Sequence, residues 1–216
     1  TIADVKTYKP STASVNSGQV LKCPYTFDKT KLVIREMTEL LVLDLVDKNL
    51  VTDQIVVTVG YDVENIKNSA LRESYQGEVT TDRYGRKIPK YAHGTANLGL
   101  QTSSTRLIMA AVMELCDEIL DPNLLVRRIN VTANHVVDEI SVIETHAPEQ
   151  LDLFADDDMA NKKQLEKEAL IRERKEQKAM LAIKKKYGKN AILKGIDLQD
   201  GATTIERNTQ IGGHKA

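Results

Sequence analysis

The sequence predicts an α+β fold: a four-stranded antiparallel sheet with two helices on one face, followed by a mainly helical extension. Three observations predict it. Residues 91–101 and 126–134 alternate apolar and polar side chains, the period of a half-buried strand. Residues 27–47 and 102–119 repeat their apolar side chains at helical spacing. In chain order the pieces fall as strand, helix, strand, strand, helix, strand over residues 14–140, the split β-α-β arrangement in which both helices cover one side of the sheet.

Each element has a local reason. Residues 1–13 are a polar lead-in with Pro10 and the run Ser11-Thr12-Ala13. Residues 14–22, SVNSGQVLK, are the first strand. Thr26 stands where a helix cap belongs, and Asp28 falls in the first turn, where the macrodipole favours an acid. Val33, Met37, Leu40, Leu41 and Leu45 then share one face of a helix over 27–47. QIVVTVG, residues 54–60, is short and β-branched, as in a buried strand. Residues 61–90 are polar and rich in turn formers, among them Asn65, Asn68, Gly77 and Gly85, and are expected to form a long hairpin loop or a lid.

In YAHGTANLGLQ, residues 91–101, Ala92, Ala96, Leu98 and Leu100 fall on one side and His93, Thr95, Asn97 and Gln101 on the other. Gly94 and Gly99 are packing or bulge positions in that strand. Thr102-Ser103-Ser104 opens a helix with Leu107, Ile108, Ala111, Val112, Leu115 and Ile119, stopped by Asp121-Pro122-Asn123. In VRRINVTAN, residues 126–134, Ile129, Val131 and Ala133 oppose Arg128, Asn130, Thr132 and Asn134.

Beyond residue 140 the pattern changes. Residues 144–159 are an acidic linker holding Glu144, Glu149, Asp152, Asp156, Asp157 and Asp158 with no lysine or arginine. Residues 160–188 are expected to form a basic helix. Within 161–187, ten lysines and arginines face four glutamates, a net charge of +6. Good helix formers fill it, and Gly188 follows a lysine-rich last turn. Its apolar residues Leu165, Ala169, Leu170, Ala179, Met180 and Ile183 are too sparse for a core helix. Residues 189–216 are expected to be a loosely ordered tail.

Composition narrows the function. Of 216 residues 28% are charged and 4% aromatic, with a net charge of -1, so bulk electrostatics do not announce a nucleic-acid binder. No apolar stretch is long enough to span a bilayer and no signal peptide opens the chain, so no membrane partner and a cytoplasmic location are expected. Cys23 and Cys116 lack metal spacing and are read as reduced thiols. The start at Thr1 suggests a piece of something longer. Catalytic signals are weak: there is no Walker-type loop, the four histidines share no ligand spacing, and Asp156, Asp157 and Asp158 are read as a solvated flank. No catalytic residue, metal site or cofactor is assigned to this chain.

Two binding surfaces remain. The face of the sheet away from the helices is polar, with Arg128 on it by parity. Ser14, Ser17 and Gly18 allow close backbone approach on the first strand. Thr102 and Ser103, with Ser104, place hydroxyls and free N–H groups at a helix start, which suits a phosphate. The second surface is Gln150-Leu151-Asp152-Leu153-Phe154, apolar anchors between Pro148 and an acid run, where no core can be built around them. Such anchors fill a partner's pocket, each contributing on the order of 2 kcal/mol.

At SVNSGQVLKCPYTF with its following helix, at EQLDLF, and at KKYGKNAILKGIDLQDGATTIERNTQIGGHKA, the sequence resembles the C-terminal half of bacterial Y-family translesion DNA polymerases. The likeness is to the UmuC-like, ImpB-MucB-SamB side, the UV-damage repair proteins of Gram-positive bacteria and their mobile elements. It implies that residues 14–143 are a little-finger domain whose open sheet lies along primer–template DNA and grips phosphates through Ser17, Thr95, Arg128, Asn130 and Thr132. It implies that Gln150 to Phe154 dock on the sliding clamp. It makes residues 1–13 the linker from a thumb, in which only Lys6 and Lys9 are basic. It puts polymerisation, with its magnesium-binding carboxylates, in a palm outside this chain, so the chain alone is not expected to be an enzyme although the parent polymerase is. The connection 61–90 exceeds the family's usual length. The alternative reading is a non-catalytic adaptor whose sheet face and basic helix bind other proteins.

Overall fold

The computed structural model describes residues 13–145, 157–211 and 214–215. Strand β1 (Val15–Tyr25) is followed by helix α1 (Phe27–Asp47) and strand β2 (Leu50–Tyr61). The connection then folds as two short helices, α2 (Glu64–Lys67) and α3 (Ser69–Ser74), and a hairpin of β3 (Val79–Thr81) and β4 (Lys87–Pro89). Strand β5 (Ala92–Thr102), helix α4 (Thr105–Ile119) and strand β6 (Val126–Asn134) complete the repeat. The sheet is antiparallel in the order β1-β6-β2-β5, and the two-residue β7 (Val137–Asp138) pairs with the start of β2. Helix α5 (Glu139–Thr145), the long helix α6 (Asp157–Tyr187), a 3-10 turn (Gly195–Leu198) and helix α7 (Thr204–Asn208) follow. The fold is mixed α+β with antiparallel sheets, as the patterning predicts.

Alternation puts the core between the sheet and the two long helices. Ile55, Val57 and Val59 of β2 and Ile129, Val131 and Ala133 of β6 face Val33, Ile34, Met37, Leu41 and Leu45 of α1 and Ile108, Val112, Leu115 and Cys116 of α4, all of them buried. Each large member contributes roughly 1.5–3 kcal/mol by leaving water. Gly94 lets α4 approach: a Cβ there would meet Leu115 Cδ1 at 2.7 Å and Ile119 Cγ2 at 2.8 Å. Gly99, at φ +72°, sits where the pairing of β2 with β5 slips between Thr52 and Gln54. That bulge breaks the alternation, so Leu100 does not join Ala92, Ala96 and Leu98 but stands 51% exposed.

The chain beyond residue 188, read as a loosely ordered tail, packs instead on the outer side of α1. Glu36, only 2% exposed, accepts hydrogen bonds from Thr203 N (2.8 Å), Thr203 Oγ1 (3.0 Å) and Thr204 N (3.1 Å). Helix α6 lies alongside, and Lys184 turns its ammonium back onto the carbonyls of Lys189 (2.8 Å) and Ile192 (2.9 Å). Burial lowers the pKa of that amine. Helix α1 is therefore covered on both sides, which explains why Glu39 and Leu43 are buried along with its predicted apolar stripe.

Neither cysteine is in a disulfide. Burial pushes the Cys116 thiol up to about 12, whereas Cys23 is exposed. A thiol reagent at about pH 8 is expected to titrate one cysteine in the folded chain and both in denaturant. Two fast-reacting thiols in the folded protein would contradict the packing of α4.

Candidate nucleic-acid interface

The sheet face opposite α1 and α4 is built by four strands in register. Four rows cross it: Val20, Arg128 and Gly60; Gly18, Asn130, Thr58 and His93; Asn16, Thr132, Val56 and Thr95; then Asn134, Gln54 and Asn97. Strand pleating dictates this, since the intervening residues of each strand feed the core. Ser14, just before β1, is exposed and shares the parity of Asn16.

Side-chain hydrogen bonds link neighbours within three of these rows. Thr132 Oγ1 donates to Asn16 Oδ1 (3.1 Å), Gln54 Nε2 to Asn97 Oδ1 (2.9 Å) and Asn134 Nδ2 to Gln54 Oε1 (3.1 Å). Thr58 Oγ1 and His93 Nδ1 lie 2.9 Å apart. The result is a carpet of neutral amides and hydroxyls held in fixed positions, with Arg128 the one lysine or arginine in these four rows. Such groups accept and donate alike, which suits phosphate and sugar oxygens and bridging water.

Of the predicted contacts, Gly18, Thr95, Arg128, Asn130 and Thr132 share this face. Ser17 does not. Its parity turns it to the helix side, where it accepts a hydrogen bond from Arg207, whose other guanidinium nitrogen donates to Gln19 Oε1 at 3.3 Å. Thr102 and Ser103 do not either, each being 7% exposed beneath α6. The start of α4 is an anion site by geometry, but the chain fills it itself. Glu173 of α6 accepts from Ser104 Oγ (2.6 Å) and Arg106 N (2.9 Å), capping the orphan donors of α4. Arg174 donates to Ser103 Oγ (3.0 Å) and pairs with Glu139, and Gln177, 3% exposed, donates to Ser103 O and Thr105 Oγ1 at 2.9 Å each. The basic helix docks through these polar side chains, so its sparse apolar residues did not reveal that it packs.

Sequence reasoning missed Asn16, Gln54 and Thr58 on this face. The signal is present, because Gln54, Val56, Thr58 and Gly60 alternate with Ile55, Val57, Val59 and Tyr61, yet the short β-branched run 54–60 predicts a buried strand. Gln150, Leu151, Asp152, Leu153 and Phe154 lie outside the described residues. Among the described residues, no three His, Cys, Asp or Glu side chains come together as metal ligands would. Among the same residues no helix is long and apolar enough to cross a membrane.

Comparison with known proteins finds one family model, the impB/mucB/samB family C-terminal domain, matching residues 14–153. No curated protein matches the chain.

Proposed function

The chain belongs to the impB/mucB/samB family, whose C-terminal domain it carries, and on that basis we propose that it is the DNA-binding and clamp-recruiting part of a translesion DNA polymerase that acts on damaged DNA in the SOS response. The observation that supports DNA binding most directly is the open, in-register polar face of the sheet. A face covered by neither core helix, polar in every row and pinned by its own hydrogen bonds, is matched to a partner that is itself polar and regular. Duplex DNA along its phosphate and sugar edges is such a partner. In this reading Arg128 pairs with a phosphate, Asn130, Thr132, Thr95, Gln54 and Asn97 hydrogen-bond the backbone, and Gly18 and Ser14 let a strand of DNA come close. Residues 150–154 dock on the sliding clamp, with Leu151, Leu153 and Phe154 as apolar anchors and Gln150 as a polar one. Their support is the sequence itself and their place just behind the sheet domain.

Fluorescence anisotropy of labelled primer–template DNA, titrated from about 50 mM salt upward, tests the reading. Wild-type chain is expected to bind at low salt. Arg128→Ala is expected to flatten the log–log salt slope by about one counterion, with Asn97→Ala leaving the slope alone. Absence of binding at low salt would sink the DNA reading and favour the protein adaptor. Binding with an unaltered slope in the Arg128 variant would move the contact off this face.

A further inference from the structure

The open face poses an electrostatic problem. Affinity for duplex DNA rests mostly on cations at phosphates, and the four paired rows hold one arginine. The hairpin between β3 and β4 lies at the Arg128 end of the sheet. Strand β4 leads into Lys90 and Tyr91, and β5 then pairs Ala92 with Val59 and His93 with Thr58. Tyr91, 55% exposed, meets the His93 ring edge-on with centroids 6.4 Å apart, so the open face runs into the base of the hairpin. The hairpin is fixed to the body. Pro89 is buried, Tyr75 packs against the core and donates to the Glu78 carbonyl (2.8 Å), and Lys90 N donates to the same carbonyl (2.8 Å).

The tip is more ordered than a connection needs. Asp82 Oδ1 accepts from the backbone N–H of Tyr84 and of Arg86, both at 2.9 Å, and Oδ2 pairs with the Arg86 guanidinium at 2.6 Å. Those bonds hold the Asp82 carboxyl below its ordinary pKa. Gly85, at φ +76°, closes the turn. The Tyr84 ring stands 65% exposed, with the Arg83 guanidinium 4.7 Å and the Arg86 guanidinium 5.2 Å from its centroid. Residues 78–90 hold Arg83, Arg86, Lys87 and Lys90 against Glu78 and Asp82. Arg86 and Lys90 are paired to those two acids, and no carboxylate partner of Arg83 or Lys87 is found among the described residues.

We propose that this hairpin is a second DNA-backbone contact, in which Arg83 and Lys87 take phosphates beyond the reach of the sheet and Tyr84 holds Arg83 extended. The inference deepens the DNA reading and rests on it. Asp82 presets the turn so that two cations without a carboxylate partner among the described residues, and an aromatic, project from a rigid arm at the end of a face whose four rows hold Arg128 alone as a cation. The charge matches a polyanion, and the tip offers no aliphatic anchor for an apolar protein groove.

The test uses the full chain and the same primer–template DNA. Arg83→Ala with Lys87→Ala is expected to weaken binding about tenfold at low salt and to lower the salt slope by about two counterions, at roughly 0.9 per phosphate contact. Arg83→Lys with Lys87→Arg, which keeps the charge, is expected to retain the wild-type slope. Both substitutions are at exposed positions, and matching thermal melts separate binding from folding. A wild-type chain that binds DNA while the double alanine variant keeps its affinity and slope would overturn the hairpin contact alone. A wild-type chain that does not bind DNA would overturn the DNA reading itself.

Discussion

Glu36→Ala is expected to destabilise the folded chain by about 3 kcal/mol and to free the segment behind residue 188 from the body. The carboxylate is almost fully buried and accepts three hydrogen bonds, two from the backbone at the start of α7 and one from Thr203 Oγ1. Bonds to a charged acceptor are worth about 1.5–3 kcal/mol each, and truncation leaves their donors unpaired at a site closed to water. Arg207 adds to the cost. Burial lowers its pKa while Glu36 opposes the shift, so removing the carboxylate leaves a desolvated guanidinium on the neutral Ser17 and Gln19 side chains. Denaturant unfolding of the Ala and Gln variants checks this, with Gln intermediate because it keeps one acceptor. Limited proteolysis is expected to cut between residues 189 and 211 in the Ala variant first. Unfolding midpoints equal to wild type in both variants would mean that α1 does not hold the segment.

Leu153→Ala with Phe154→Ala is expected to weaken binding to the sliding clamp about a thousandfold while DNA affinity stays where it was. Each anchor contributes on the order of 2 kcal/mol when it leaves water for a partner's pocket. Together they amount to about 4 kcal/mol, close to three powers of ten. Calorimetry against purified clamp measures the loss, and anisotropy on primer–template DNA measures the constancy. Retained clamp affinity would remove residues 150–154 from the interface. A parallel loss of DNA affinity would show that the two surfaces are not independent.

Local chemistry made much of the fold legible. Helix α1 runs over the 27–47 predicted from Thr26, Asp28 and the apolar stripe, and β6 over the 126–134 predicted from alternation. Parity also placed Arg128, Asn130 and Thr132 on one face. The errors have equally local causes. Ser14 and Ser17 are an odd number of residues apart, so a regular strand cannot turn both to the same side. Leu100 follows a glycine bulge, which resets parity without changing the apolar–polar pattern. Thr102 and Ser103 looked free because the residues that cover them lie about seventy positions away, on a helix whose packing surface is polar. The hairpin's arrangement could not be read either, since Asp82 acts through backbone donors that any residue possesses.

The pairing of Arg174 with Glu139 spans 35 residues. It fixes two positions to each other, and residues 150–154 lie between those positions in the sequence. A partner bound at residues 150–154 is therefore tied to the sheet domain from both sides of its site, through Glu139 before it and Arg174 after it.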